Sequence, residues 1–373
     1  MTWVFWGAVA LIGYTYAGYP LWLWLRCRLS PMPVLLGSVQ PFVSVVMVVR
    51  NEEGVLERKL ENLLGLSYPE DQLEIIVVSD GSTDRTEAIL REYARRPNVH
   101  GVLNQLSRGK ASGLNDAFNI AHGEIVIFTD ARQQIEPTGL QVLLSNFADP
   151  QVGCVSGELM LGDSSAGEKS QGMGLYWRIE KIVRELESAS GSVVGATGAF
   201  YGVRRELLPA VPPETLLDDV LIPMQVVKAG KRVVFEPRAR AWDVSDLGAE
   251  REFARKVRTL SGNYQLLQMM PWLLSRANPI RFEFISHKIL RLLVPFALLA
   301  ALLASALLPQ HFYRAAFFLQ LAFYGLSLIG MAHVKMGPIA RAGDAAFTFV
   351  VLNTAAIVAF ANFVARRKAA WTR

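Results

Sequence analysis

The sequence predicts an α/β domain with a mostly parallel sheet, placed between membrane-spanning helices at the two ends of the chain. The hydrophobic share of the 373 residues is 51%, and the longest apolar stretches lie near the two termini. Between them, apolar runs alternate with amphipathic segments in a βαβα order. This order is typical of parallel strands covered by helices on both faces.

The N-terminal stretch is predicted to cross a membrane. Residues 3–25 carry no charge and are long enough to span a bilayer. A cleaved signal peptide is the weaker interpretation, because no Lys or Arg precedes the stretch and the stretch is too long. Arg26 and Arg28 follow beside Trp22 and Trp24. By the positive-inside rule, this end and the domain after it face the cytoplasm.

Three further apolar stretches predict C-terminal membrane helices, near residues 289–308, 315–331 and 345–364. Any one of them also fits a buried helix of a soluble protein, but three in succession favour membrane spans. Residues 271–288 mix aromatic and aliphatic side chains with Arg and Lys, which indicates an interfacial segment or, alternatively, a linker.

The orientation of the C-terminus is open. With four spans and a cytoplasmic domain after the first, the C-terminus falls outside the cell. The basic residues at this end favour the inside instead: Arg366, Arg367, Lys368 and Arg373. A re-entrant or interfacial C-terminal segment is the alternative topology.

Cysteine, histidine and charge exclude several classes of site. Cys27 and Cys154 are the two cysteines; they lie far apart and show no metal-ligand spacing, so that no disulfide framework or zinc site is implied. The five histidines form no metal-binding motif. A net charge of +5, with basic residues beside aromatic ones near a membrane segment, favours contact with anionic lipid over nucleic acid.

Polar clusters follow three predicted strands of the middle domain. The predicted strands are residues 43–49, 73–79 and 124–129, and the predicted helices are 52–64, a segment from about 84, and 110–121. The clusters are Arg50-Asn51-Glu52, Asp80 to Asp84, and Asp130-Ala131-Arg132. Singly, Asp80-Gly81 fits a turn, Asp84 a helix N-cap and Glu52 a first-turn acid. Together, at the carboxyl ends of parallel strands, they predict a nucleotide-binding crevice.

Five motifs in order resemble the family 2 glycosyltransferases, and within them the membrane-bound branch of chitin, hyaluronan, cellulose and poly-N-acetylglucosamine synthases. They are VSVVMVVRNEE, VVSDGSTDRT, RGKASGLNDA, IVIFTDARQ and LLDDVLIPMQVVKAGKRVVFEP, within residues 41–261. The resemblance implies a GT-A (Rossmann-like) domain, a nucleotide-diphosphate sugar donor with UDP as the nucleotide, and a divalent metal, Mg²⁺ or Mn²⁺.

The same resemblance implies roles for individual residues. Arg50, Asn51, Glu52, Asp80 and Lys110 match the donor-binding positions. Asp130 matches the first metal-binding aspartate, and Asp218-Asp219 occupies the place of the acidic pair with Asp219 as the base. Gly198 and Phe200 lie where the family shapes the acceptor site.

The chemistry of sugar transfer makes matching demands. Displacing a nucleoside diphosphate builds negative charge that a metal, Lys110 or arginines would neutralise. The attacking hydroxyl must lose a proton, and Asp219 is a suitable acceptor for it. The alternative is that Asp218 and Asp219 only cap the helix that runs to Lys228.

Two departures from the family pattern affect the predicted chemistry. The second metal aspartate is replaced by Arg132, so that either Asp130 suffices or Arg132 binds phosphate directly. The processive synthases of this family carry a Q-x-x-R-W signature. In the matching segment of this chain, Arg255 replaces the glutamine, Arg258 is retained, and Thr259 replaces the tryptophan. Arg255 and Arg258 are predicted donor contacts, with a solvated basic helix face as the alternative.

The overall expectation is a multi-pass protein of the plasma or inner membrane that transfers a sugar to a growing polysaccharide or glycan. The runner-up is transfer of a single sugar to a lipid or lipid-linked acceptor, and a third reading is an inactive scaffold. A conduit with so few spans would need a homo-oligomer or an accessory subunit. The predicted regions are residues 1–29 as a transmembrane helix, 30–265 as the cytoplasmic GT-A domain, 266–288 as interfacial, and 289–373 as transmembrane helices.

Overall fold

The computed structural model describes residues 1–162, 175–243, 249–331 and 338–366. Of the basic C-terminal residues, Arg367, Lys368 and Arg373 lie outside these ranges. The strands are β1 Val43–Val49, β2 Leu73–Asp80, β3 Val99–Asn104, β4 Ile125–Thr129, β5 Gln134–Ile135, β6 Val152–Leu161, β7 Phe200–Arg204 and β8 Arg232–Asp243.

The helices cover the sheet and extend from it at both ends of the chain. They are α1 Thr2–Gly13, α2 Tyr19–Leu29, α3 Leu56–Leu64, α4 Thr86–Tyr93, α5 Lys110–Ile120, α6 Gly139–Leu144, α7 Leu175–Ser190, α8 Asp218–Lys228, α9 Ala249–Met269, α10 Arg281–Phe284, α11 Leu290–Leu307, α12 His311–Met331 and α13 Pro338–Val364.

One eight-stranded sheet has the order β3-β2-β1-β4-β7-β6-β8-β5. Its first half is parallel, as predicted, because β1 pairs in parallel with both β2 and β4, and β2 pairs with β3. The second half is mixed, since β7 runs antiparallel to β4 and β6, and β5 runs antiparallel to β8. The carboxyl ends of β1, β2 and β4 therefore meet at one edge, which brings the three polar clusters together.

Alternation along the central strand divides the core into two layers. Val46 and Val48 of β1 pack with α5 and α8 on one face of the sheet. Val45 and Met47 pack with α3, α4 and α6 on the other face. Every residue of β1 is buried, which explains why its sequence is a continuous apolar run and not an alternating one.

Three C-terminal helices are long and apolar enough to cross a membrane: Arg281–Leu307, His311–Met331 and Ala342–Val364. Their positions agree with the three predicted stretches; residues 281–288 are continuous with the first helix, and the interfacial location of residues 266–288 stays a prediction. The N-terminal helices α1 and α2, of 12 and 11 residues, are not among these three, and the predicted membrane span over residues 3–25 stays a prediction. Phe5 and Ala8 of α1 pack against Ala297 and Ala301 of α11, so the two ends of the chain form one helical bundle.

Candidate active site

Lys110 lies between two of the predicted acidic residues. It is the first residue of α5, directly after Gly109. Its Nζ is 3.1 Å from Asp130 Oδ1 and 3.4 Å from Asp218 Oδ2. Burial opposes the charged form of Lys110, but the carboxylates of Asp130 and Asp218 outweigh burial and raise its pKa. The Lys110 ammonium thus links the residue that follows β4 to the first residue of α8.

Asp219 has the environment that a general base requires. Burial, together with the neighbouring charge of Asp218, raises the pKa of Asp219 to about 6, while Lys110 and Lys288 oppose that rise. A Cβ built on Gly198 would lie 3.3 Å from Asp219 Oδ2, so glycine at this position leaves room beside the carboxylate. A base with a pKa near the working pH is both deprotonated and able to accept a proton.

The acidic pair does not cap the helix that it begins. α8 starts at Asp218, its N-cap is Leu217, and the cap has no side-chain hydrogen bond. The Asp218 Oδ2 atom is buried and has no hydrogen-bond partner among the described residues. Buried polar atoms in native proteins are usually paired, so this oxygen is available to a cation or a ligand. The capping interpretation of the pair therefore finds no support.

The loop after β1 is tied to the loop after β2. Asn51 has a positive φ of 53°, and its Oδ1 accepts a hydrogen bond from the Thr83 amide at 2.7 Å. The Glu52 amide donates to Thr86 Oγ1 at 2.8 Å. Asp84 accepts from the Thr86 amide at 2.9 Å, which fits its interpretation as a helix-terminus residue. Asn51 and Glu52 therefore shape the crevice, and their contact with a donor stays a prediction.

Asp80 orders the loop that leads to Lys110. Its carboxylate is fully buried and accepts hydrogen bonds from Ser107 Oγ at 2.7 Å, the Arg108 amide at 2.7 Å and the Gly109 amide at 2.9 Å. A Cβ at Gly81 would come within 2.6 Å of the Ser107 amide nitrogen, so glycine permits this close approach. Recognition of the donor base or ribose by Asp80 stays a prediction.

Two predicted donor arginines lie free at the same edge. Arg132, after β4, is half-buried and forms no hydrogen bond or ion pair with the described residues. Arg50, after β1, has a buried Nε without a hydrogen-bond partner in the described part of the chain. Both guanidinium groups are therefore available to a phosphate, the anion whose geometry arginine matches best.

The predicted acceptor residues separate in the structure. Gly198 borders Asp219, as described above. Phe200 is fully buried in the core layer of α3 and α6 and offers no surface to an acceptor. The prediction of an acceptor contact is therefore not supported for Phe200, whose ring stabilises β7 instead.

Arg255 and Arg258 lie on α9. The helical turn of α9 around Gln265, which follows them, contacts residues 214–216, the segment that leads to Asp218. Gln265 of this helix accepts from the Leu216 amide at 2.9 Å and donates to the Glu214 carbonyl at 2.6 Å. Arg258 precedes Gln265 by about 10 Å at the helical rise of ~1.5 Å per residue. Both arginine side chains are half-buried, and their contact with a donor stays a prediction.

The sequence did not mark Lys59, which fixes the position of residues 130–132, the loop that follows β4. Its fully buried Nζ donates to Thr129 Oγ1 at 2.9 Å and to the Gln133 carbonyl at 2.6 Å, on both sides of residues 130–132. Burial lowers the pKa of Lys59 to about 7, although Asp130 opposes the shift. The available signal was its place on the apolar face of α3, one turn from Leu56 and Leu63.

Arg184 of α7 was also missed. Its guanidinium donates to Thr197 Oγ1 at 2.8 Å and to Ser156 Oγ at 2.6 Å, and it lies 4.4 Å above the Phe235 ring. Thr197 immediately precedes Gly198, so Arg184 positions the segment beside the proposed base. No motif marks this residue, because its partners are distant in sequence.

The acidic residues can contribute to a divalent metal site only with help from a ligand. Among the described residues, no group of three or more His, Cys, Asp or Glu side chains could hold a metal ion. Asp130, whose side chain is 42% exposed, and Asp218 Oδ2, which forms no hydrogen bond with the described residues, both face the Lys110 ammonium. One or two carboxylates, here those of Asp130 and Asp218, fit Mg²⁺ or Mn²⁺ when phosphate oxygens and water complete the coordination.

Part of the chain matches a known protein family. Residues 44–211 match the family model described as glycosyl transferase family 2. A beta-monoglucosyldiacylglycerol synthase of Nostoc sp. is 29% identical over 186 residues, which is 48% of this chain and 40% of that protein. A poly-beta-1,6-N-acetyl-D-glucosamine synthase of Staphylococcus epidermidis is 24% identical over 234 residues, 62% of this chain and 56% of that protein. The chain spans about half the length of these curated relatives.

A solved structure agrees with almost the whole fold. A mannosyltransferase from Pyrobaculum calidifontis, in complex with GDP-Man and Mn²⁺, has a TM-score of 0.73 at 24% identity, over 96% of this chain and 98% of that chain. The predicted fold class, a GT-A domain with apolar helices beside it, is confirmed.

Proposed function

We propose that this chain, whose residues 44–211 form a domain of glycosyl transferase family 2, transfers a sugar from a nucleotide-diphosphate sugar to an acceptor at a membrane, with inversion at the anomeric carbon. The observation that carries the proposal is the placement of Asp219. This half-buried carboxylate has a raised pKa and lies near the Lys110 ammonium and the carboxylates of Asp130 and Asp218, where the parallel strands end. Such a site suits proton removal next to a leaving diphosphate.

In this mechanism the acceptor hydroxyl attacks the anomeric carbon and gives its proton to Asp219. Lys110 provides positive charge beside the departing diphosphate, and Arg132 and Arg50 add guanidinium groups at the same edge. A divalent metal bound by Asp130, with Asp218 close by, would polarise the diphosphate oxygens. Inversion follows because the base and the leaving group act on opposite faces of the sugar.

The donor nucleotide is proposed to be UDP, on the strength of the family resemblance. The mannosyltransferase of similar fold was solved with GDP-Man, so GDP is the alternative to test. For the acceptor, a growing polysaccharide or glycan is the first proposal, since the candidate spans after the catalytic domain could border a growing chain. A lipid acceptor is favoured by a polar cavity between the domain and the first candidate span.

The proposal is tested with purified protein in lipid nanodiscs and radiolabelled nucleotide sugars. We expect one nucleotide sugar to be consumed, with label appearing on a polymer or lipid. Product length at limiting enzyme separates the acceptors: long chains beside untouched acceptor indicate processive synthesis, and a single-sugar adduct indicates a lipid acceptor. If the protein bound none of the nucleotide sugars in the panel, the proposed activity would be refuted.

We further propose that the catalytic domain lies in the cytoplasm, where nucleotide sugars are supplied. The basic residues Arg26 and Arg28, directly after the N-terminal apolar stretch, support this orientation. Protease added to intact cells should spare residues 30–280, and the same protease should cut them in inverted vesicles. Cleavage from outside intact cells would contradict the orientation.

A further inference from the structure

A cavity of about 180 Å³ lies between α7, residues 193–196 and the start of the first candidate span. Residues 195–198 separate it from the proposed base. On one side, the Ala196 amide donates to the Asp219 carbonyl at 2.7 Å, and Gly198 borders the Asp219 carboxylate. On the other side, Gly195 and Ala196 line the cavity. The cavity and the proposed base therefore share one short wall.

Two polar groups of the cavity lack partners among the described residues. Glu187 is 1% exposed, and its Oε1 accepts from the Tyr19 hydroxyl at 2.5 Å and lies 2.7 Å from His287 Nδ1. Its buried Oε2 has no hydrogen-bond partner. Lys288, which also lines the cavity, forms no hydrogen bond or ion pair within the described ranges. The cavity thus offers one unused acceptor and one unused cationic donor.

The other charged groups around the cavity already have partners among the described residues. Glu180 is 3.0 Å from His287 Nε2 and 2.5 Å from Arg291. Arg184 donates to the hydroxyls of Thr197 and Ser156. A ligand for this cavity must therefore satisfy Glu187 Oε2 and Lys288 at the same time. A hydroxyl group both donates and accepts and can therefore serve both groups, whereas an ionised phosphate only accepts and leaves Glu187 Oε2 without a donor.

An aromatic surface completes the cavity. Three residues are candidates for an acceptor-stacking surface in place of the missing tryptophan at Thr259: Trp177, Tyr201 and Trp242. Tyr201 is fully buried and stacks on Phe128, and Trp242 is buried with its Nε1 donating to Glu136. Trp177 lines the cavity and is half-buried. An indole face beside hydroxyl-binding groups suits the apolar side of a sugar or glycerol group.

We propose that this cavity is the acceptor site and that it binds the uncharged, hydroxyl-bearing headgroup of a membrane lipid, an inference that rests on the proposed function. Lys288 and His287 belong to the candidate span Arg281–Leu307, and Tyr14 of the N-terminal helices bonds Ser286 of the same span at 2.8 Å. A lipid in the bilayer would therefore reach the cavity with its headgroup while its chains stay beside the helices. Glu187 Oε2 would accept a headgroup hydroxyl, and Lys288 would donate to another oxygen.

Direct binding to the full chain in detergent tests this inference without requiring turnover. The probes are dioctanoylglycerol, its monoglucosyl derivative and dioctanoyl phosphatidic acid, with Kd measured by calorimetry. We expect one or both neutral lipids to bind at least about 10-fold more tightly than phosphatidic acid. The two neutral probes distinguish a glycerol from a sugar headgroup. Equal or tighter binding of phosphatidic acid would overturn the proposed chemistry.

Two variants locate the binding. Lys288→Met breaks no described hydrogen bond or ion pair, and Trp177→Leu leaves the Glu187 network intact. Each is expected to raise the Kd of the neutral lipid about 10-fold, the usual size for loss of a charged hydrogen bond or a buried aromatic contact. Arg178→Gln, an exposed change on the same helix, is the matched control and should bind as wild type. Unchanged affinity in both cavity variants would refute the site.

Failure of the proposed function gives a different result. If neutral lipids bind through Lys288 and Trp177 but no sugar is transferred to them, the acceptor role fails; if in addition no nucleotide sugar binds, the transferase proposal fails as well. If sugar is transferred and the cavity variants keep the wild-type lipid Kd and acceptor KM, the function stands and the cavity is not the acceptor site.

Discussion

Asp219→Asn is expected to lower the rate of sugar transfer by ~10²–10⁴, the usual cost of losing a general base. Asparagine keeps the shape of the side chain but cannot accept a proton. The donor contacts proposed here come from other residues, so the Kd for the nucleotide sugar should stay near the wild-type value. The measurement is initial transfer rate in nanodiscs together with donor affinity by calorimetry.

The variant should also fold. Folding raises the pKa of Asp219, so the native state binds more protons than the unfolded state between the two pKa values. Stability contributed by this group therefore falls as pH rises through that window, and the ionised carboxylate is unfavourable at neutral pH. Replacing it with a neutral amide should leave the Tm at pH 7.5 unchanged or higher. Glu87→Gln, on the surface helix α4, is the matched control, and transfer by Asp219→Asn at the wild-type rate would remove Asp219 from the mechanism.

The same carboxylate sets the expected pH profile. Because the base must be ionised and its pKa is raised to about 6, kcat/KM should fall on the acidic side with a midpoint near pH 6. An ordinary exposed aspartate would place this limb near pH 4. The residual activity of Asp219→Asn should lack the limb.

The first half of the fold was predictable from sequence because its strands are continuous apolar runs. β1 lies where the run of residues 43–49 predicted it, and β2 and β4 agree within one residue at each end. α3 begins at Leu56 and not at residue 52, because Asn51 adopts a positive φ and the next residues turn before the helix starts. The mixed second half escaped prediction, since β7 reaches the sheet only after the long helix α7.

Site residues were predictable from the sequence where they directly follow a strand or begin a helix. Asp130, Lys110 and Asp218 meet as expected, because sheet geometry brings these ends together. The supporting residues were not predictable, since their roles depend on tertiary contacts. Lys59 occupies an apolar helix position, and Arg184 contacts segments far away in sequence. Phe200 shows the converse error, because a position taken from a motif says nothing about the direction of the side chain.

Removal of divalent metal is expected to lower transfer by ~10² or more, the scale of losing a preorganised charge at a developing anion. Asp130 stands alone where two aspartates are usual, so affinity for Mn²⁺ should be weak without nucleotide and should rise when the nucleoside diphosphate is present. Calorimetric titration of Mn²⁺ with and without UDP or GDP measures this difference directly. Asp130→Asn should abolish the nucleotide-dependent increase.

Asp116→Asn gives a matched control for that titration. Asp116, on α5, forms its ion pair with Arg108 and does not contact Lys110 in the described structure. Undiminished transfer in excess EDTA would contradict the metal prediction. Charge on the diphosphate would then have to be neutralised by protein cations alone. In that case Arg132→Gln, at the position of the missing aspartate, should cause the ~10²-fold loss that chelation failed to produce.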